Sequence, residues 1–111
     1  MKHRPERLAH LIQEELSKMV LRDLEFPGCL VTITNVEVNS KLEQAIINFS
    51  VIPSEKINEV LEILNRNRNH LQYLLLRKMN IRIMPRIVFG VDRGVEEAID
   101  IEKLLMEDKI K

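Results

Sequence analysis

Seven cationic side chains crowd the stretch from residue 66 to residue 93: Arg66, Arg68, Arg77, Lys78, Arg82, Arg86 and Arg93, against the single acid Asp92. Guanidinium groups pair bidentately with phosphate oxygens, so this is the chemistry of a surface that grips a nucleic-acid backbone. Lys2, Arg4 and Arg7 are candidates to extend it from the N-terminus. The bland alternative is a solvated basic face, balanced by an acidic C-terminal segment. Residues 94–108 carry Glu96, Glu97, Asp100, Glu102, Glu107 and Asp108 against Lys103 alone. The 17 basic and 17 acidic residues cancel over the whole chain. Local field, not that total, steers a polyanion.

Other reactive residue types offer little. His10 and Glu14 are four apart on one helical face, the spacing of an exposed pair, and no third metal ligand accompanies them. His3 and His70 stand alone. Cys29, beside a strand start, reads as a small hydrophobe and not as a nucleophile. There is no zinc spacing and no Gly-rich phosphate loop, so no metal, cofactor or enzymatic turnover is expected. Of four aromatic residues, Phe49 and Phe89 fall on apolar strand faces as core, leaving Phe26 and Tyr73. Single-strand readers stack bases on exposed rings. Nucleic-acid binding here is expected to rest on phosphates and shape, with little sequence readout.

The elements that must position these side chains can be read from periodicity. At 111 residues the chain reads as a single domain, 1–111, able to bury roughly 65% of its unfolded surface. Its core spans about 6–92 and an acidic helix about 95–108. Residues 6–24 carry Leu8, Leu11, Ile12, Leu16, Met19 and Val20 at helical spacing, and "FPG" at 26–28 stops that helix. "CLVTITNVEV" is rich in β-branched residues. Its apolar phase changes between Ile33 and Val36, which predicts a bulge near Asn35. "NSKL" turns the chain into a strand alternating Ala45, Ile47, Phe49 and Val51 with mostly polar residues. After Pro53, Ser54 is placed to cap a helix bearing Ile57, Val60, Leu61 and Leu64. A further helix carries Leu71, Leu74, Leu75 and Met79, with Asn80 as a left-handed terminator. Ile87, Phe89 and Val91 form the last strand, and Pro85 is tolerable only near its start. The last helix has a thin stripe of Ala98, Ile101, Leu104 and Leu105. Three strands with one face to cover make a two-layer α+β sandwich.

Asn67-Arg68-Asn69 interrupts the two middle helices. Either one continuous helix has a wet turn, or the chain breaks near Asn67 or Asn69 and two helices meet at an angle. Asn is poor inside a helix but visits the left-handed region cheaply. A break is the favoured reading, with Asn69 able to supply a left-handed residue.

"VTITNVEVNSKLEQAIINFSVI" followed by "IRIMPRIVFGVDRGVEEAIDIEKLL" resembles the ribosome-binding factor A family of bacterial ribosome-maturation proteins, over nearly the whole chain. The resemblance implies a type II KH-like fold, α-β-β-α-α-β plus a C-terminal helix. It also implies that Asn67-Arg68-Asn69 stands where the family carries Ala-x-Gly, in place of the Gly-x-x-Gly clamp of typical KH domains. This chain departs from that pattern, having neither the Ala nor the Gly. Its glycines are Gly28, Gly90 and Gly94, so no Gly-x-x-Gly exists anywhere.

The function implied by the resemblance is a non-enzymatic assembly factor in the cytoplasm, a compartment consistent with one cysteine and no apolar span or leader. It would bind the free 30S subunit and the 5′ region of precursor 16S rRNA, and assist late maturation, especially in the cold. Its mechanism would be preference for an immature RNA conformation, with release helped by a ribosome-associated GTPase. A monomer without a membrane partner is expected. The competing reading is a protein-interaction module that docks through the acidic final helix, with its arginines merely solvated.

Overall fold

The computed structural model describes residues 4–92; Lys2, Arg93 and the helix expected over 95–108 lie outside that range. Helix α1 (Arg4–Asp23) turns Ile12, Leu16, Met19 and Val20 inward. Strands β1 (Leu30–Val38) and β2 (Gln44–Ile52) form an antiparallel hairpin. A short 3-10 turn (Ser54–Lys56) leads into α2 (Ile57–Arg66), which is followed by α3 (Arg68–Met79) and β3 (Arg86–Val91). β3 pairs with β2 in parallel, so the sheet order is β1-β2-β3 and β2 is central. This is the α+β order expected from the sequence.

One face of the sheet is dry. Ala45, Ile47, Phe49 and Val51 of β2, Val31, Ile33 and Val36 of β1, and Ile87 and Phe89 of β3 are all buried. They pack against α1 and against Val60, Leu64, Leu71 and Leu75 of α2 and α3, and Phe49 meets Phe89 edge-on at 6.4 Å. The alternate residues Thr32, Gln44, Ile46 and Arg86 are exposed on the other face. The pairing steps from Ile33↔Phe49 to Asn35↔Asn48, so Thr34 is the extra residue of a bulge. Without it Val36 would turn outward, because a one-residue slip flips every side chain.

Side-chain amides finish the backbone bonding that the sheet and helices leave open. The Asn39 Oδ1 accepts from the backbone N–H of Glu43 (2.7 Å) and Gln44 (3.0 Å), closing the β1–β2 turn. Gln72 of α3 donates to the Pro85 carbonyl and accepts from the Ile87 N–H, both at 3.2 Å. It thereby stands in for a neighbouring strand at the outer edge of β3. The closed hairpin turn holds Leu42 at φ 60, a left-handed conformation that costs a non-Gly residue about 1–2 kcal/mol.

The helix interruption is a single residue, Asn67, at φ −99 and ψ 3. Its side-chain Nδ2 donates to the Ile63 carbonyl at 2.8 Å, and its own carbonyl accepts from Leu71 N–H at 2.9 Å. Asn69 therefore is not the left-handed residue expected from the sequence: it is helical, and among the described non-glycine residues only Leu42 and Asn80 have positive φ. The amide of Asn67 closes α2 by bonding backward, so no left-handed step is needed at Asn69. Ser54 is the other correction. It opens the 3-10 turn and makes no capping hydrogen bond, because α2 starts three residues later.

These local geometries are open to two tests. Asn69→Ala is expected to stabilise the protein by about 0.5 kcal/mol through helix propensity, and Asn67→Ala to destabilise it by about 1 kcal/mol through the lost hydrogen bond. Urea unfolding of both variants reads the ranking, and its reversal would move the break to residue 69. At the hairpin turn, Leu42→Ile keeps the same atoms but places a β-branched residue at positive φ, and is expected to cost about 1–2 kcal/mol. Leu42→Gly is expected to stay within about 1 kcal/mol of the parent. Equal stability of the Ile variant and the parent would refute strain at this turn.

Candidate nucleic-acid interface

The hairpin end of the sandwich gathers cations from three separated parts of the chain. Arg4 and Arg7 come from the first turns of α1, Lys41 from the β1–β2 turn, and Arg82 from the loop between α3 and β3. They rim a groove of about 380 Å³ whose described lining residues include no acid. Its floor is apolar: Leu8, Leu11, Leu42, Ile81 and Ile83. Of these, Leu11 is 43% and Ile83 71% exposed. Between described residues, the arginine ion pairs are Arg22 with Asp23 and Arg66 with Glu62, both away from the groove.

Local structure explains the convergence. Pro5 lies in the first turn of α1, where its missing N–H is not needed. The amide of Asn39 fixes the turn that presents Lys41 and Leu42, and Gln72 clamps the end of the loop that carries Arg82. Asn80, left-handed at φ 51, ends α3 and directs the chain into that loop.

The sequence-predicted cations do not form one surface. Arg77 and Lys78 occupy the last turn of α3, just before the Arg82 loop, and the Arg77 guanidinium lies 5.8 Å from the centre of the Tyr73 ring. Arg86 shares the hairpin end but points to the open sheet face, beside Asn39, Glu43 and Gln44. Strand alternation dictates this, since its neighbour Ile87 is buried. Arg66 and Arg68 flank Asn67 at the far end of α3, about 15 Å along the axis from Lys78. Arg66 is held there by Glu62 at 3.0 Å. Arg93 and Lys2 lie outside the described residues. The residue that the charge run does not reveal is Lys41. It sits alone in a short turn, and only the bend of the hairpin brings it to Arg4, Arg7 and Arg82.

The remaining reactive groups are placed quietly. His10 and Glu14 pair at 3.1 Å on the exposed side of α1, and Cys29 is half-buried with its Sγ 3.6 Å from the Phe26 carbonyl. Among the described residues no three His, Cys, Asp or Glu side chains cluster as metal ligands, no polar residue is fully buried, and no helix is long and apolar enough to cross a membrane.

Comparison with known proteins agrees with this architecture. The family model for ribosome-binding factor A matches residues 4–105. Ribosome-binding factor A of Akkermansia muciniphila is 30% identical over 95% of this chain and 84% of its own length. That of Prochlorococcus marinus is 34% identical over 97% of this chain and 89% of its own. The crystal structure of ribosome-binding factor A from Thermus thermophilus superposes with a TM-score of 0.69 at 22% identity, covering 81% of this chain and 98% of that one. A second Thermus thermophilus coordinate set, fitted into the cryo-EM map of a 30S complex with the factor, gives 0.66 at 24% identity, covering 78% and 97%. A KH-like sandwich, a cation-rimmed groove at its hairpin end and a family match over nearly its full length converge: the chain belongs to the ribosome-binding factor A family.

Proposed function

We propose that this protein binds the small ribosomal subunit during its maturation, through phosphates of 16S rRNA that meet the cations of the hairpin end. The observation that carries the surface assignment is the meeting of Arg4, Arg7, Lys41 and Arg82 at one groove with no acid among its described lining residues. Arg77 and Lys78 extend the contact along α3. Arg86 and Arg93, and Arg66 and Arg68 at the far end, are outlying contacts with weaker individual effect. The match to a family whose Thermus thermophilus member was fitted into a 30S complex supports the choice of partner.

Binding of this kind is electrostatic and shape-dependent. The only described aromatic side chain that stands well out of the core is Tyr73, 53% exposed, so base stacking contributes little beside phosphate neutralisation. The finer role is assistance with late processing of the 5′ region of precursor 16S rRNA, in the cytoplasm and most needed in the cold. It is exerted without catalysis, by favouring an immature RNA conformation and dissociating once the mature one forms. Release by a ribosome-associated GTPase belongs to the same reading.

Co-sedimentation with purified small subunits tests it. Neutralising four phosphates gives a log–log salt slope of about −3. Arg7→Glu with Arg82→Glu is expected to weaken binding by about tenfold or more and to reduce the steepness of that slope by about 0.7 per cation lost. Arg66→Glu is expected to change affinity by less than about threefold, since that side chain lies at the far end of α3 from the groove. Undiminished binding after reversal of Arg7, Lys41 and Arg82 would favour docking on a ribosomal protein through the acidic segment.

A further inference from the structure

The groove's floor is the wrong chemistry for a phosphate ribbon. A sugar–phosphate backbone satisfies Arg4, Arg7, Lys41 and Arg82 but covers none of the leucine and isoleucine surface between them. Burial of that surface favours an occupant able to match it. The hairpin turn holds Leu42 in a strained left-handed conformation at the groove wall, and such outliers gather where a side chain's position matters for binding. An occupant that complements both features needs an apolar stripe edged with carboxylates.

The chain carries one. Residues 94–108 combine Ala98, Ile101, Leu104 and Leu105 at helical spacing with six acids and one lysine. Reach is sufficient. β3 starts beside the groove and runs away from it to Val91, about 17 Å at strand rise. A helix over 95–108 spans about 21 Å, enough for a segment that doubles back from Asp92. We propose that, in the free protein, this acidic segment docks in the hairpin-end groove, its stripe against Leu11, Leu42 and Ile83 and its carboxylates against the surrounding cations. The groove is then self-covered, and an RNA must displace the segment to reach the cations. Generic polyanions, lacking the contacts to do so, are held off. Only that consequence rests on the proposed RNA contact; the docking does not.

Methyl NMR of the full-length chain, without RNA, tests it. A nitroxide is attached through Lys103→Cys in a Cys29→Ser background, which leaves the acids and the apolar stripe intact. Methyl resonances of Leu11, Leu42 and Ile83 are expected to lose most of their intensity, while those of Leu30 and Ile52, at the opposite end of the hairpin, keep theirs. Glu96→Gln, Glu97→Gln and Asp100→Asn together, or raised salt, should restore at least half of the lost intensity. In the native-cysteine chain the same three substitutions should shift the groove methyl resonances with no label present. Unbroadened and unshifted groove methyls would overturn the proposal. So would broadening on the open sheet face at Ile46 and Val88, or broadening that passes between molecules when nitroxide-labelled and isotope-labelled chains are mixed. Because no RNA is present, a negative result leaves the ribosome reading intact. Docking found in a protein that fails to bind subunits would instead refute that reading alone.

Discussion

The inner face of β2 is the constraint on which the rest of the molecule depends. Ala45, Ile47 and Phe49 are wholly buried and Val51 nearly so, while neighbours on both sides satisfy the strand's backbone. A central strand with one dry face admits helices on one side only. With α1, α2 and α3 on that side, the short link from α1 into the far end of β1 and the parallel pairing of β3 with β2 bring the start of α1, the β1–β2 turn and the α3–β3 loop to the same end. The cation cluster is a by-product of that topology: none of its four members adjoins another in sequence, and the strand directions supply their proximity. The Thr34 bulge serves the same constraint, since it lets a nine-residue strand change phase and still keep Val31, Ile33 and Val36 on the dry face.

Where hydrophobic burial sets the layers, side-chain amides set the corners. Asn39 and Gln72 bond backbone groups that regular structure leaves open, and Asn67 adds a second donor to the Ile63 carbonyl at the end of α2. A carboxamide can both donate and accept, which suits a β-turn, a helix break and the edge of a parallel strand equally well. Two of these corners bear directly on the groove. Asn39 shapes the turn that presents Lys41 and strains Leu42, and Gln72 fastens the loop that presents Arg82. Both amides act on backbone groups, and so on the position of the neighbouring cations.

Much of this was legible in the residues themselves. Helical spacing marked α1, α2 and α3, period-two alternation marked β2 and β3, and the phase change between Ile33 and Val36 located the bulge within one residue. These signals survive because burial reports directly on periodicity. The break between α2 and α3 was legible as a break but not as a residue: Asn67 and Asn69 have the same propensities, and only the reach of Asn67 to the Ile63 carbonyl separates them. The candidate surface was the least legible part. A charge run measures distance along the chain, so it grouped Arg66 and Arg68 with Arg82 although the length of α3 lies between them. It grouped Arg86 with its neighbours although alternation turns it to the open face. It passed over Lys41, whose neighbours in sequence are uncharged or acidic.

That the hairpin end, and not the far end of α3, faces ribosomal RNA is tested most directly by site-specific photo-crosslinking on purified small subunits. A photoreactive side chain in place of Lys41 or Arg82 should yield crosslinks to 16S rRNA, and the same group in place of Lys56 should yield none. Crosslinks from position 56 with silence at 41 and 82 would contradict the account.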